Sequence, residues 1–391
     1  MNWNDKTAAN VKAIKPSGIR KFFDIAAQVK GVLSLSIGEP DFAAPDKVLA
    51  AMKASLDAKE TSYTGNSGMM ELREAISHHF EQRYGVHYDP KDEILVTVGV
   101  SEGLAMALLA ITEPGDEVII PDPAYVAYPA SVELAGGTPV FVPTYPEHDF
   151  KLTVEALEKV ITPKTKAIVI GYPNNPTGTV MSAEELMPIA KFAEEHDLIV
   201  LSDEIYCELM YGDAKFTSFA KLPGMRERTV IFNGFSKAYA MTGMRLGYVC
   251  APREGLAPIL KLHQYAIMCA NTTAQVGGIT ALKECDDDVE AMRQEYDRRR
   301  KVIYKGLCDM GLPVFEPKGA FYIFPDIRCT GMTSAEFCEK LVQEEKVAVV
   351  PGTAFGDQGE GFVRISYAAS MDTIQEALKR MARFVAKYRK K

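Results

Sequence analysis

Lys237 is the residue in this chain whose setting most invites chemistry. The apolar run Val230-Ile231-Phe232 passes through Asn233-Gly234-Phe235-Ser236 to the lysine, and Arg245 follows eight positions on. A lysine amine at the mouth of a strand can form a Schiff base with an aldehyde. A nearby arginine can grip a phosphate through parallel hydrogen bonds. The Gly-x-x-x-x-Gly-Lys-Ser/Thr order of a nucleotide phosphate loop is absent from this turn. By itself the turn reads as a solvated loop with two cations, so its chemistry depends on what the rest of the chain brings to it.

The elements that would bring it are legible. From about Gly99, helical and extended stretches alternate. Gly103 to Ile111 predicts an apolar helix, and Ala124 to Ala135 a second one, ended by Gly136-Gly137. Ser182 to His196 predicts a third, with a Ser182–Glu185 capping box. Glu117 to Ile120, Val140 to Val142, Lys166 to Gly171, Leu198 to Ser202, Thr229 to Asn233 and Leu246 to Cys250 predict short strands. Such alternation implies a mostly parallel sheet covered on both faces by helices. After about Glu284 the long charged helix Val289 to Met310 leads to short apolar runs, predicting a smaller α+β domain.

Ligands of open α/β sheets bind outside the carboxyl ends of the strands. Three polar clusters follow such ends: Tyr172-Pro173-Asn174-Asn175-Pro176-Thr177-Gly178, Asp203-Glu204-Ile205-Tyr206 and Ser236-Lys237. Parallel strands would gather an amide, a carboxylate, a phenol and an amine at one edge. Each cluster also has a plainer reading. Asn-Pro-Thr-Gly is ordinary turn chemistry, an Asp after a strand is often a helix N-cap, and a tyrosine one helical turn along is often core.

Composition narrows the partners. The 391 residues are 47% apolar and 25% charged, with a net charge of −8, as in an ordinary globular protein of two domains. The acidic balance argues against nucleic acid or an anionic membrane as partner. Arg298-Arg299-Arg300-Lys301, the densest basic cluster, has Glu290, Glu295 and Asp297 close by and reads as a solvated helix face. The seven cysteines are scattered without C-x-x-C or zinc-site spacing, so no metal is expected, and free thiols fit a reducing cytoplasm. The start, Met1-Asn2-Trp3-Asn4-Asp5-Lys6, lacks the apolar core of a signal peptide, and no run is long enough for a membrane span.

Taken together, Asn175-Pro176-Thr177-Gly178, Asp203-Glu204-Ile205-Tyr206 and Ser236-Lys237 with Arg245 resemble the class I aminotransferases of pyridoxal-phosphate fold type I. The resemblance covers nearly the whole chain. It includes Ser36-Ile37-Gly38-Glu39-Pro40-Asp41-Phe42, Tyr63-Thr64-Gly65 with Gly68 and Leu72-Arg73, Gly319-Ala320-Phe321-Tyr322, and Val363-Arg364-Ile365-Ser366-Tyr367. It is strongest to the prokaryotic subgroup that contains aromatic-amino-acid and aspartate aminotransferases. The implied fold is a large α/β domain, a mostly parallel seven-stranded sheet sandwiched by helices, plus a smaller α+β domain. Residues 1–45 would form an N-terminal arm and part of the small domain, 46–285 the large domain, and 286–391 the small C-terminal domain. The implied cofactor is pyridoxal 5′-phosphate. The substrates would be an L-amino acid and a 2-oxo acid, with 2-oxoglutarate as amino acceptor. A cytoplasmic homodimer with shared active sites is the implied assembly.

The resemblance also implies roles. Lys237 would carry the cofactor and then move the substrate proton, Asp203 would pair with the ring nitrogen, and Tyr206 and Asn175 would hydrogen-bond the ring oxygen. Tyr125 would stack on the ring. The Val100, Ser101 and Glu102 amides and Arg245 would hold the phosphate, with Tyr63 reaching it from a partner subunit. Arg364 would clamp the substrate α-carboxylate, helped by the Gly38 amide, which favours cleavage of Cα–H over loss of CO2. One departure stands out: Gly234 occupies the position where the family often has a phosphate-binding serine.

A carbon–sulfur β-lyase on the same fold shares these residue types and remains an alternative. A regulator that uses the fold as an effector sensor would need a DNA-binding domain, and the Gly38-Glu39-Pro40 motif comes too early for one. Arg20 is a candidate cation for a distal substrate carboxylate, or else a solvated helix residue. Between aromatic and aspartate donors, the whole-chain resemblance leans slightly to aromatic ones.

Overall fold

The structure, a computed structural model, describes every residue except 15, 17, 20, 21, 23–28 and 391. Arg20 therefore lies outside the described residues. Along the chain the strands are β1 Leu33–Ser34, β2 Ile94–Thr97, β3 Glu117–Asp122, β4 Thr138–Pro143, β5 Thr165–Ile170 and β6 Ile199–Asp203. They continue as β7 Thr229–Gly234, β8 Gly247–Cys250, β9 Tyr322–Ile323, β10 Val347–Ala348, β11 Val350–Pro351 and β12 Val363–Ser366.

Seven of these form one sheet in the order β2-β8-β7-β6-β5-β3-β4. β3 to β7 run parallel. β8 is antiparallel to both of its neighbours. The Phe235-to-Leu246 link that joins β7 to β8 has no crossover α-helix, so the chain returns in the opposite direction. Side chains alternate between the faces of the sheet. In β7, Ile231 joins an apolar cluster with Leu72, Ile76 and Phe80 of helix Met70–Tyr84. Val230 and Phe232 join another, with Leu104 and Leu108 of helix Gly99–Ile111. Both faces are thus covered, as the continuous apolar strands require.

Several element ends differ from the sequence reading. The helix expected from Gly103 starts at Gly99, where a left-handed φ of 73° turns the chain out of β2. The helix expected from Ala124 starts at Ala127, because the Ala124 N–H is tied to the Phe355 carbonyl at 2.9 Å. The capping box forms: Ser182 Oγ accepts from Glu185 N, and the Glu185 carboxylate accepts from Ser182 N.

The basic cluster is a correction. Arg299 and Arg300 are buried at 5% and 3% exposure and are not part of a solvated face. Arg299 bridges Asp41 and Glu295, while Arg300 joins Asp297, Glu316 and the Pro317 carbonyl. Helix Asp286–Asp309 is pinned through them to the start of the chain and to the approach to β9.

That helix packs with helices Ser334–Glu345 and Met371–Tyr388 over Tyr296, Leu307, Phe337, Leu341, Met381 and Phe384. Against this core lies the antiparallel sheet β11-β12-β9. β1, from near the start of the chain, pairs in parallel with β10. Among the described residues, no helix is long and apolar enough to cross a membrane.

Candidate active site

β5, β6 and β7 are neighbours and parallel, so their carboxyl ends share one edge. A cavity of about 490 Å3 opens there. Its wall includes Gly38, Val100, Ser101, Tyr125, Asn175, Asp203, Tyr206, Lys237, Arg245 and Arg364. Two named residues lie off this wall: Tyr63, expected to act at a partner subunit's site, and Glu102, expected to offer only its backbone amide. Tyr63 is 81% exposed. Glu102 turns its carboxylate back to the Val98 N–H at 2.7 Å and to Nδ1 of buried His263 at 2.8 Å, which leaves only its backbone in the first helical turn.

Lys237 Nζ donates to the Gly38 carbonyl at 2.7 Å. Burial, then the Arg364 cation, lowers the amine from the ordinary lysine range to about 8. Glu39 and Asp203 oppose the shift. An amine so lowered is a better nucleophile and base near neutrality than a solvated lysine.

Asp203 ends β6 and is buried. Its Oδ2 accepts from the Tyr128 phenol at 2.7 Å and its Oδ1 from the Ile205 N–H at 3.2 Å. Burial pushes its carboxyl up, against those donors and the Lys237 charge. Tyr206 shares a 2.8 Å hydrogen bond with Tyr322 Oη, and burial raises its phenol well above the usual range.

Arg364 reaches in from β12 with 2% exposure. Nη2 donates to the Ser36 carbonyl at 2.6 Å and Nη1 to Asn175 Oδ1 at 3.0 Å. The guanidinium lies 4.6 Å from the Tyr322 ring centre and 4.8 Å from that of Phe355. Its Nε–H has no acceptor among the described residues, although it is buried. A buried cation with unspent donors on a cavity wall suits an arriving carboxylate.

Glycines compress the opposite end. A Cβ on Gly99 would stand 2.7 Å from Arg245 Nη2, so the bare residue lets the guanidinium lie against the helix N-terminus. A Cβ on Gly247 would stand 2.7 Å from Val100 N, and one on Gly234 2.7 Å from Gly247 Cα. Gly234 faces Gly247 across the β7–β8 pair, and a serine side chain has no room there. Anionic groups would be met instead by the amides that begin helix Gly99–Ile111 and by Arg245, whose Nη1 donates to the Thr242 carbonyl at 3.0 Å.

Two tyrosines are among the wall residues that the sequence does not mark as functional. Tyr128 follows Tyr125 by three positions, and its N–H donates to the Tyr125 carbonyl at 3.1 Å in the turn that enters helix Ala127–Leu134. Tyr322 sits in the Gly319-Ala320-Phe321-Tyr322 motif, where nothing in the sequence distinguishes it from a core tyrosine. No group of metal-binding side chains occurs among the described residues.

The family model for aminotransferases of class I and II matches residues 30–381. The chain is 51% identical to an aspartate aminotransferase of Pyrococcus abyssi, covering 94% of this chain and 95% of that one. It is 48% identical to aromatic-amino-acid aminotransferase 2 of Thermococcus litoralis, covering 95% and 96%. It superposes on the crystal structure of an aromatic aminotransferase from Pyrococcus horikoshii with a TM-score of 0.90 and 49% identity, over 94% of this chain and 99% of that one. The chain belongs to the class I and II aminotransferases.

Proposed function

Starting from that membership, we propose that this transaminase uses pyridoxal phosphate to move the α-amino group of an aromatic L-amino acid to 2-oxoglutarate in two half-reactions. The observation that carries the reading is Lys237 and Arg364 on one cavity wall, a lowered amine beside a buried guanidinium with an unspent donor. The donor set suits the cofactor: Lys237 for its aldehyde, Asp203 for its ring nitrogen, and Tyr206 with the Asn175 amide for its ring oxygen. Tyr125 would lie against the ring. The Val100, Ser101 and Glu102 amides with Arg245 would take the phosphate. When bound, the cofactor supplies an electron-withdrawing ring that stabilises the charge left at Cα.

The chain's own residues do the rest. Arg364 holds the α-carboxylate as a fork, with the Gly38 amide beside it, so that one Cα substituent is fixed and Cα–H can be presented to Lys237. The Lys237 amine, near 8, takes that proton and returns it. Ser36 and Asn175 hold the guanidinium in place before substrate arrives.

Aromatic donors are favoured by the wall. Its described cations are Lys237, Arg245 and Arg364, each already assigned, and Glu39 stands among them. Ile19, Tyr125 and Tyr322 supply apolar surface. Aspartate is the competing donor, consistent with the Pyrococcus abyssi relative. We also propose the division at 45 and 285, supported by the β1–β10 pairing and the separate core over helix Asp286–Asp309. A homodimer in the cytoplasm completes the reading. Exposed Tyr63, Tyr265 and Met268 lie in segments joined by the Asn66-to-Met268 hydrogen bond and form a surface that a second copy can cover.

The test is an amino-donor screen with 2-oxoglutarate, run alongside Lys237→Ala. Transfer from Phe, Tyr or Trp is expected to exceed transfer from Asp. The variant should lose both transfer and the borohydride-fixed cofactor. Preference for Asp would overturn the donor class. Pyruvate released from cysteine-type substrates without any 2-oxo acid acceptor would overturn transamination in favour of the lyase.

A further inference from the structure

Asp203 is gripped at both oxygens, and one grip comes from a neighbouring element. Tyr128, on helix Ala127–Leu134, donates its phenol to Oδ2 at 2.7 Å, and both side chains are buried. The Ile205 N–H takes Oδ1. Gly171, just past β5, clears the way for this contact: a Cβ there would stand 2.8 Å from Tyr128 Oη. Gly171 is not among the glycines with positive φ, so clearance of the phenol is the physical reason for a bare Cα at that position. Tyr128 also meets the Tyr125 ring edge-on, with centres 5.6 Å apart.

We propose that Tyr128 is a positioning residue for the reaction, fixing the Asp203 carboxylate in one orientation and keeping it ionised where a ring nitrogen would meet it. The proposal rests on the cofactor reading above. A buried carboxylate tends to take up a proton, and a hydrogen bond donated to its charged form opposes this. The phenol does so without adding a charge, so the negative potential at the site is preserved for the ring nitrogen. It acts through Asp203, and its edge contact aligns Tyr125.

The experiment is an absorbance titration of the holoenzyme, wild type against Tyr128→Phe, with kcat, KM and melting temperature measured on the same samples. Phe keeps the ring and its Tyr125 contact and removes only the donor. The pKa of the Lys237–cofactor linkage should rise by about one unit, the scale set by a hydrogen bond to a charged group. The direction follows from charge: a less ionised carboxylate leaves the ring nitrogen less protonated, and the linkage then holds its own proton more tightly. kcat should fall about tenfold, with KM for the amino acid changed by less than about threefold. Gly171→Ala crowds the phenol, whose oxygen is the nearest atom to the added Cβ, and should shift the titration the same way. It carries the test if Tyr128→Phe does not fold. A lower melting temperature with unchanged titration and kcat in the folded variant overturns the proposal and leaves Tyr128 a core residue. A wild type with no borohydride-fixable cofactor overturns the cofactor reading itself.

Discussion

Arg364→Lys isolates the geometry of the proposed carboxylate clamp from its charge. Arg364 has Nη2 on Ser36 and Nη1 on Asn175, rings at 4.6 and 4.8 Å, and a buried Nε–H with no acceptor among the described residues. A lysine keeps the positive charge but loses the planar fork. One charge-assisted hydrogen bond to the substrate carboxylate is then lost, about 1.5–3 kcal/mol, or roughly ten- to 150-fold in kcat/KM. The assay is steady-state transamination with three donors of unlike side chain and two 2-oxo acids. The factor should be the same for all of them, since the α-carboxylate is common to all. A second reading comes from the cofactor-free protein. Arg364 is the next largest cause after burial of the lowered Lys237 pKa. Arg364→Ala should therefore let the Lys237 amine titrate higher, while Arg364→Lys should not. A loss confined to one donor, or an unchanged kcat/KM, refutes the assignment.

Three further outcomes follow from the same geometry. In the cofactor-free protein, acylation of Lys237 followed by peptide mass spectrometry should rise with a midpoint near pH 8, because the amine must first lose its proton; a midpoint above about 10, the ordinary lysine value, contradicts the burial argument. Gly234→Ser drives an atom into the Gly247 backbone and should cost about 1–3 kcal/mol in urea unfolding without slowing cofactor release; tighter retention at unchanged stability would show that the family's serine can be accommodated here. If Tyr63 acts across a dimer, mixing Tyr63→Ala with Lys237→Ala should regenerate active sites, and verified hybrids without activity above either parent remove the shared-site proposal.

Lys237, Asp203 and Asn175 were readable because each follows an apolar run, and parallel strands bring such ends to one edge. Arg364 was reached only through the family resemblance: β12 is buried throughout, so no alternation marks its inward-facing residues. Tyr128 and Tyr322 look like core residues in one dimension, and their hydroxyl partners, Asp203 and Tyr206, are distant in sequence. The same blindness produced the error at Arg299. Local glutamates suggested a solvated face, while its deciding partner, Asp41, lies 258 positions away. The reversed direction of β8 has no periodic signature, because parallel and antiparallel buried strands present the same apolar run.

The pairing of β1 with β10 has a consequence for how the protein is made. Every strand of the seven-stranded sheet has been synthesised by Cys250, so that sheet can close while the chain is still being extended. The segment Leu33 to Gly38 is synthesised before that sheet, yet its partners β10 and Arg364 are synthesised after it. The nascent chain therefore keeps this segment waiting until the whole sheet has been made, and the proposed carboxylate clamp can be assembled only after it. A product that terminates before Val347 would carry Lys237 and Asp203 but would lack Arg364, and with it the proposed hold on a substrate carboxylate.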